Sequence, residues 1–228
     1  MMNTQAINSP TSVENLSTQM IELNFPVFGK TLPVQHGYLL YSAICHQVSA
    51  AHKIDFQLGT IVGVPDGQGH IHLQEGTSLY IRVETQWIPQ FLTLAGKTLA
   101  LNGHEIRLGI PRPFLLKPAS SLYSRLVAIK GFTEVEPFQE ALQRQLSKLN
   151  IQAQVIIPVD KEEKPSRKVL KIKDKIIVGF SVLIEGLSAE DSIKLQTLGL
   201  GGRRKMGAGV MFPAKKNFQE RSNAATSG

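Results

Sequence analysis

The sequence predicts an α+β fold of two tandem ferredoxin-like (RRM-like) domains, each running βαββαβ. Two observations carry this prediction. The same order of strand and helix patterns occurs twice along the 228 residues, and a proline-rich stretch, "GIPRPFLLKPAS", separates the two copies.

In the first copy "MIELNFPV" reads as a strand. It is followed by a helix over "VQHGYLLYSAICHQVSAAH", in which Leu40, Ile44 and Val48 recur at helical spacing. "DFQLGTIVGV" and the alternating "SLYIRVE" supply the second and third strands. "TQWIPQFLTLAG" is a short helix ended by Gly96, and "KTLALNGHEIRLG" is a hairpin with Asn102-Gly103 at its turn.

The second copy repeats the order. "SLYSRLVAIKG" is a strand, "PFQEALQRQLSKLN" a helix with Pro137 near its start, and "IQAQVIIPV" a strand. "VLKIKDKIIVGFSVLIEG" turns back at Asp174 as a hairpin, "SAEDSIKLQTLGLGG" is a helix capped by Ser188, and "MGAGVMF" is the last strand. The expected boundaries are a first domain over 19–110, a linker over 111–120 and a second domain over 121–214. Residues 1–18 and 215–228 are polar enough to be expected disordered.

Composition narrows the class of partner. Lys and Arg number 25 against 18 Asp and Glu, a net charge of +7, which favours nucleic acid or another acidic partner. The one cysteine, Cys45, lies in an apolar helical stretch and reads as a core residue in a reducing, cytoplasmic setting. No stretch approaches the ~20 apolar residues of a membrane span, so no membrane partner is expected. His70, His72 and His104 have no Cys or carboxylate at metal spacing, and neither a metal nor a cofactor is expected.

The stretch "GLGGRRKMGAGV", residues 199–210, concentrates Gly199, Gly201, Gly202, Gly207 and Gly209 around Arg203, Arg204 and Lys205. Neither the dinucleotide fingerprint nor the P-loop spacing fits it. Glycines still let a backbone approach an anion, and adjacent guanidiniums grip phosphate, so a polyanion is the expected ligand. Adjacent like charges gain nothing from folding, which a phosphate backbone relieves. A second basic run, "KEEKPSRKVLKIKDK", places Arg167, Lys168, Lys171 and Lys173 on the expected hairpin, suited to the phosphates of an RNA stem. Both basic stretches also fit the plainer reading of solvated turns.

"GLGGRRKMGAGVMFP", preceded by two ferredoxin-like units, and "GKTLPVQHGYLLYSA" near the start resemble the CRISPR-associated repeat-processing endoribonuclease family, closest to its Myxococcus-subtype branch. The resemblance runs from about Met20 to Pro213. It implies metal-independent cleavage of precursor CRISPR RNA beside a repeat stem-loop, leaving a 5′-hydroxyl and a 2′,3′-cyclic phosphate. It also implies an RNA partner and the other subunits of a type I effector (Cascade-like) complex.

Such cleavage needs a base for the 2′-OH, an acid for the leaving oxygen, and cations around the phosphorane. Histidine suits the proton transfers. By the resemblance His52 is the expected catalytic histidine and Tyr41 its helper. His36 is a further candidate at the start of the helix, where it equally reads as a capping residue. Relatives often carry Leu-His-Glu where this chain has Ala51-His52-Lys53, which makes Lys53 a candidate phosphate-stabilising cation. His46 has the weakest claim. Two rival readings share the fold: an RNA-binding subunit that does not cleave, and a protein-interaction or small-ligand module.

Overall fold

A computed structural model describes residues 19–160 and 162–214; the expected disordered segments at 1–18 and 215–228 lie outside the described residues. The first half contains strands β1 (Met20–Gly29), β2 (Thr31–Pro33), β3 (Phe56–Leu58), β4 (Val64–Pro65), β5 (His70–His72), β6 (Ser78–Glu84), β7 (Thr98–Leu101), β8 (His104–Leu108) and β9 (Arg112–Leu115). Its helices are α1 (Gly37–Gln47) and α2 (Ile88–Leu92). The second half contains β10 (Ser121–Val127), α3 (Val135–Lys148), β11 (Gln154–Ile156), β12 (Arg167–Ile172), β13 (Lys175–Glu185), α4 (Ala189–Leu198) and β14 (Phe212–Pro213).

The two main sheets have the same connectivity. The first runs β3-β6-β1-β8-β7, and the second β11-β13-β10-β14. In each, the first strand of the unit lies between the third and the fourth, with the second outside the third. That order is the ferredoxin-like arrangement predicted for both halves. β2, β5 and β4 form a small separate sheet, and β12 adds to β13 as a hairpin.

Local chemistry explains the elements. Along β1, Ile21, Leu23, Phe25 and Val27 are buried and alternate with more exposed positions, the period of a strand with one covered face. In α3, Phe138, Ala141, Leu142 and Leu146 are the buried stripe of an amphipathic helix. The turn between β7 and β8 has Asn102 at φ +49° and Gly103 at φ +84°, the left-handed pair a two-residue hairpin requires. Ser188 caps α4 as expected, its hydroxyl accepting from the Asp191 amide at 3.0 Å.

Several elements are shorter or placed differently than the pattern suggests. The helix expected to reach His52 stops at Gln47; Val48 leaves helical geometry and a 3₁₀ turn, Ser49–His52, follows. Part of the proline-rich link is ordered as β9, which pairs antiparallel with β1 from Ile21↔Leu115 to Asn24↔Arg112. Pro113 is tolerated there because β9 is an edge strand. The last strand starts only at Phe212, since Gly207 and Gly209 have φ of +85° and +73° and cannot lie in an extended ladder.

Each sheet has its own core. The first gathers Leu23, Phe25, Leu40, Ile44, Phe56 and Ile81, and the second Phe138, Leu142, Phe180, Val182 and Leu195. A third, small cluster of Leu126, Leu170 and Ala208 lies where the β12–β13 hairpin meets the 199–210 loop. Among the described residues no helix is long and apolar enough to cross a membrane.

Candidate functional site

The 199–210 loop is a tightly folded object rather than a flexible turn. After α4 ends, Gly199, Gly201, Arg203, Gly207 and Gly209 all have φ between +66° and +85°. A Cβ on Gly209 would overlap the Leu200 carbonyl oxygen, and one on Gly201 would lie 2.5 Å from the Ala128 oxygen. The Leu200 amide donates to Gly209 O at 2.9 Å, Gly201 to Gln145 Oε1 at 2.9 Å, Gly202 to Ala128 O at 3.0 Å and Gly209 to Leu126 O at 2.7 Å. These amides are satisfied within the protein in this conformation. The glycines serve close packing; what the loop turns outward is its cations. Gly202 alone of the five has neither a positive φ nor a near neighbour, so nothing in the structure requires glycine there.

The three cations differ in their surroundings. Arg203 is exposed. Arg204 reaches across to the first half, where its Nη2 lies 3.6 Å from Asp55 Oδ2. Lys205 Nζ donates to the carbonyl oxygens of His52 at 3.3 Å and Ala51 at 3.5 Å, and sits 5.4 Å from the Phe56 ring centroid. The loop of the second half therefore closes on the histidine of the first, a juxtaposition of residues 153 apart in sequence.

Tyr41, on α1, and His52, at the end of the 3₁₀ turn, face each other. The Tyr41 hydroxyl lies 3.5 Å from His52 Nδ1, with the rings edge to face at a centroid distance of 6.2 Å. This is a long contact, at the limit of hydrogen-bond distance. Burial, with a hydrogen bond to Cys45, pushes the Tyr41 phenol up; with the His52 proton on Nδ1, that N–H donates to the Tyr41 oxygen and Nε2 keeps its lone pair. No hydrogen bond among the described residues engages His52 Nε2, and His52 is exposed. Lys53 is exposed beside it, without a hydrogen bond or ion pair of its side chain among the described residues.

His36 is in a different environment. It is the N-cap residue of α1 and 1% exposed, with Nδ1 donating to Pro33 O at 2.8 Å and Nε2 buried without a partner. Burial holds its imidazole below the usual range and outweighs the backbone hydrogen bond, while Arg125 adds to the depression. In this conformation it is enclosed and neutral, a placement that suits shaping the start of α1 better than exchanging protons with an open cleft. His46 is exposed on α1.

The β12–β13 hairpin joins the same surface. Its turn is at Lys173 and Asp174, with Lys173 at φ +52°. Arg167, Lys171 and Lys173 are exposed at alternate positions, while Lys168 lies on the other face and is half-buried. The Lys171 amide donates to Gln35 Oε1 at 3.2 Å, and Leu170 packs with Ala208 of the loop. Arg167 Nη2 is 4.0 Å from Glu134, a loose exposed pair that competes little with a phosphate. Hairpin, loop and the start of α1 thus lie together. Among the described residues no three of His, Cys, Asp and Glu converge to hold a metal.

Three residues at this junction escaped the sequence reading. Asp55 opens the stretch "DFQLGTIVGV", which reads as a strand without any site residue. Arg82 and Gln57 occupy outward positions of strands whose other face supplies the first core, and that pattern signals solvent. Both are in fact buried, 1% and 2% exposed, against the second half.

Comparison with known proteins identifies the family and the fold. The family model described as Cas6 Crispr matches residues 21–216. A CRISPR-associated endonuclease Cas6 from Myxococcus xanthus (strain DK1622) is 34% identical over 194 residues, covering 85% of this chain and 81% of that protein. Among solved structures, an RAMP protein binding different RNA substrates superposes with a TM-score of 0.61 at 13% identity, covering 86% of this chain and 99% of its own. A Cas6-related protein from Pyrococcus furiosus gives 0.59 at 15% identity, with 87% and 99% covered; these two likenesses speak for the fold. From matched sequence over nearly all of its described length, the chain belongs to the Cas6 CRISPR family.

Proposed function

We propose that this protein binds the stem-loop of a CRISPR repeat and cleaves precursor CRISPR RNA into guides. The observation that carries the reading is the convergence of Tyr41 and His52 from the first half with Lys205 from the loop of the second. Family membership supports the substrate class, and the M. xanthus relative is named an endonuclease.

The residues support transesterification by the RNA itself. His52 Nε2 takes the proton of the 2′-OH, the 2′-oxygen attacks the adjacent phosphorus, and the P–O5′ bond breaks. The products are a 2′,3′-cyclic phosphate and a 5′-hydroxyl. The departing 5′-oxygen takes a proton from a general acid, a role Tyr41 or the newly protonated His52 is placed to serve. Lys205, with Lys53 exposed nearby, supplies positive charge where negative charge develops on the phosphorane. Arg203 and the exposed hairpin cations Arg167, Lys171 and Lys173 hold the RNA backbone, and Lys168 lies beside them. No step requires a metal. After cleavage the protein stays on its product as a subunit of a type I effector complex.

The deciding experiment is cleavage of a labelled repeat hairpin in EDTA. Full activity, with a cyclic-phosphate end on the upstream fragment, is the expected result. Activity lost in EDTA and restored by Mg²⁺ or Mn²⁺ overturns the mechanism, and tight binding with no cleavage in any buffer leaves an RNA-binding subunit instead.

A salt titration separates gripping from mere solvation. Arg203→Ala should flatten the log-log dependence of affinity on salt by roughly 0.7 to 0.9 per lost phosphate contact. Arg203 is the clean position, because Arg204 and Lys205 also tether the loop to residues 51–55. An unchanged slope and affinity would make Arg203 a solvated turn residue.

A further inference from the structure

We infer that Arg82, with Gln57, is a positioning device for cleavage: it holds both ends of the 199–210 loop on the first sheet and thereby sets Lys205 against His52. This rests on the cleavage reading above.

The placement begins with strand register. Glu22 on β1, Arg82 on β6 and Gln57 on β3 are direct cross-strand partners, Glu22↔Arg82 and Arg82↔Gln57, and so form one row across the same face of the first sheet. A polar row on a sheet face ordinarily meets water. Here that face is covered by the second half, and the row's donors are spent on that half's backbone. Arg82 Nη1 donates to Gln196 O at 3.2 Å and to Met211 O at 2.6 Å, and Gln57 Nε2 donates to Thr197 O at 2.5 Å. Gln196 and Thr197 are in the last turn of α4, just before the loop, and Met211 is the residue just after it. The carbonyls at a helix end have no partner within the helix, so these donors also cap α4.

Other contacts keep the clamp rigid. Arg82 Nε donates to Glu22 Oε2 at 2.8 Å, which fixes the guanidinium plane and neutralises a charge that is otherwise buried. The same guanidinium lies 4.3 Å from the centroid of Phe212, the first residue of β14. One side chain thus engages the segment before the loop, the segment after it and the final strand. The planar fork makes this possible; a lysine, with a single ammonium on a flexible stem, cannot reproduce it.

The functional consequence follows from geometry. His52 precedes β3 by four residues and Gln57 lies within β3, so the histidine and the clamp share one short segment. Lys205 meets the His52 carbonyl from a loop whose two ends are held by that segment's neighbours. A shift of about an ångström in such an arrangement costs on the order of 10²-fold in rate while leaving distributed phosphate contacts intact.

The test uses the full chain with Arg82→Lys and Gln57→Leu. Gln57 Oε1 is buried without a partner, so leucine removes an unsatisfied group and the variant should fold. Single-turnover cleavage of a repeat RNA hairpin is compared with affinity for the same hairpin carrying a 2′-deoxy nucleotide at the cleavage site. Both variants should cleave ~10- to 100-fold more slowly while affinity stays within about threefold, a split that simple loss of folded protein does not produce. In the free proteins, the His52 ring signals in NMR should move in the sense they move in Lys205→Ala. Unchanged cleavage and unchanged His52 signals in both variants overturn the inference. So do rate and affinity falling together in proportion to unfolding. Should the unaltered protein fail to cut RNA, the cleavage reading falls on its own and the His52 signals alone decide the clamp.

Discussion

His52→Ala should slow cleavage by ~10²- to 10⁴-fold, the range for a missing general acid or base, while affinity for the repeat hairpin holds. The split is expected because His52 is exposed at the end of a short turn, and its side-chain partner is the Tyr41 hydroxyl at 3.5 Å. Removing the imidazole leaves Lys205 bonded to the backbone carbonyls of residues 51 and 52, so the loop keeps its place. Tyr41→Phe preserves the ring that stacks on Phe56 at 6.3 Å and removes only the hydroxyl, and a loss of about tenfold is expected, the worth of one hydrogen bond. The informative contrast is His36→Ala. His36 is enclosed and neutral, so its loss should lower stability more than it slows cleavage by folded protein. If His36→Ala stops cleavage and His52→Ala does not, the roles of the two histidines are reversed and the general acid–base mechanism stands.

Gly209→Val should destabilise the fold by about 3–4 kcal/mol or more, seen as a fall of roughly 6–16 °C in Tm. Two separate penalties act at this position. Its φ of +73° lies where a β-branched residue is strained, and any Cβ would overlap the Leu200 carbonyl oxygen, a backbone atom that cannot rotate away. The Gly209 amide also donates to Leu126 O, so relieving the overlap would break the bond that fastens the loop to β10. Gly202→Ala is the matched control. A Cβ on Gly202 would meet nothing within 4 Å and its φ is ordinary, so the stability of the protein should change by less than about 0.5 kcal/mol. Equal losses at the two positions would show that the glycines share a role in flexibility rather than in close packing.

Much of the fold was legible because its signals are local. The alternation of Leu79, Ile81 and Val83 marks β6, Asn102-Gly103 marks a hairpin turn, and Ser188 marks the start of α4. The strand and helix order repeated on either side of a proline-rich link then fixes the ferredoxin-like connectivity, since a βαββαβ unit has few ways to cover one sheet face. Boundaries were less legible. The pattern runs on through Val48 as though the helix continued, because burial of Val48 satisfies the same periodicity in a turn as in a helix.

The candidate site divides along the same line. Sequence alone, through its resemblance to a family, singled out Tyr41, His52 and the glycine-rich loop, and composition pointed to a polyanionic partner. What it determined unaided was which residues carry charge, which can titrate and where glycine is concentrated. Only the tertiary structure decided which of them meet. It enclosed His36 and left His52 open, turned the loop's glycine amides inward, and brought Lys205 to His52. It also buried Arg82 and Gln57 at positions whose alternation reads as solvent-facing. The physical reason is that periodicity reports one covered face of an element, whereas the second face of the first sheet is covered by residues more than a hundred positions away, a contact that leaves no trace in local pattern.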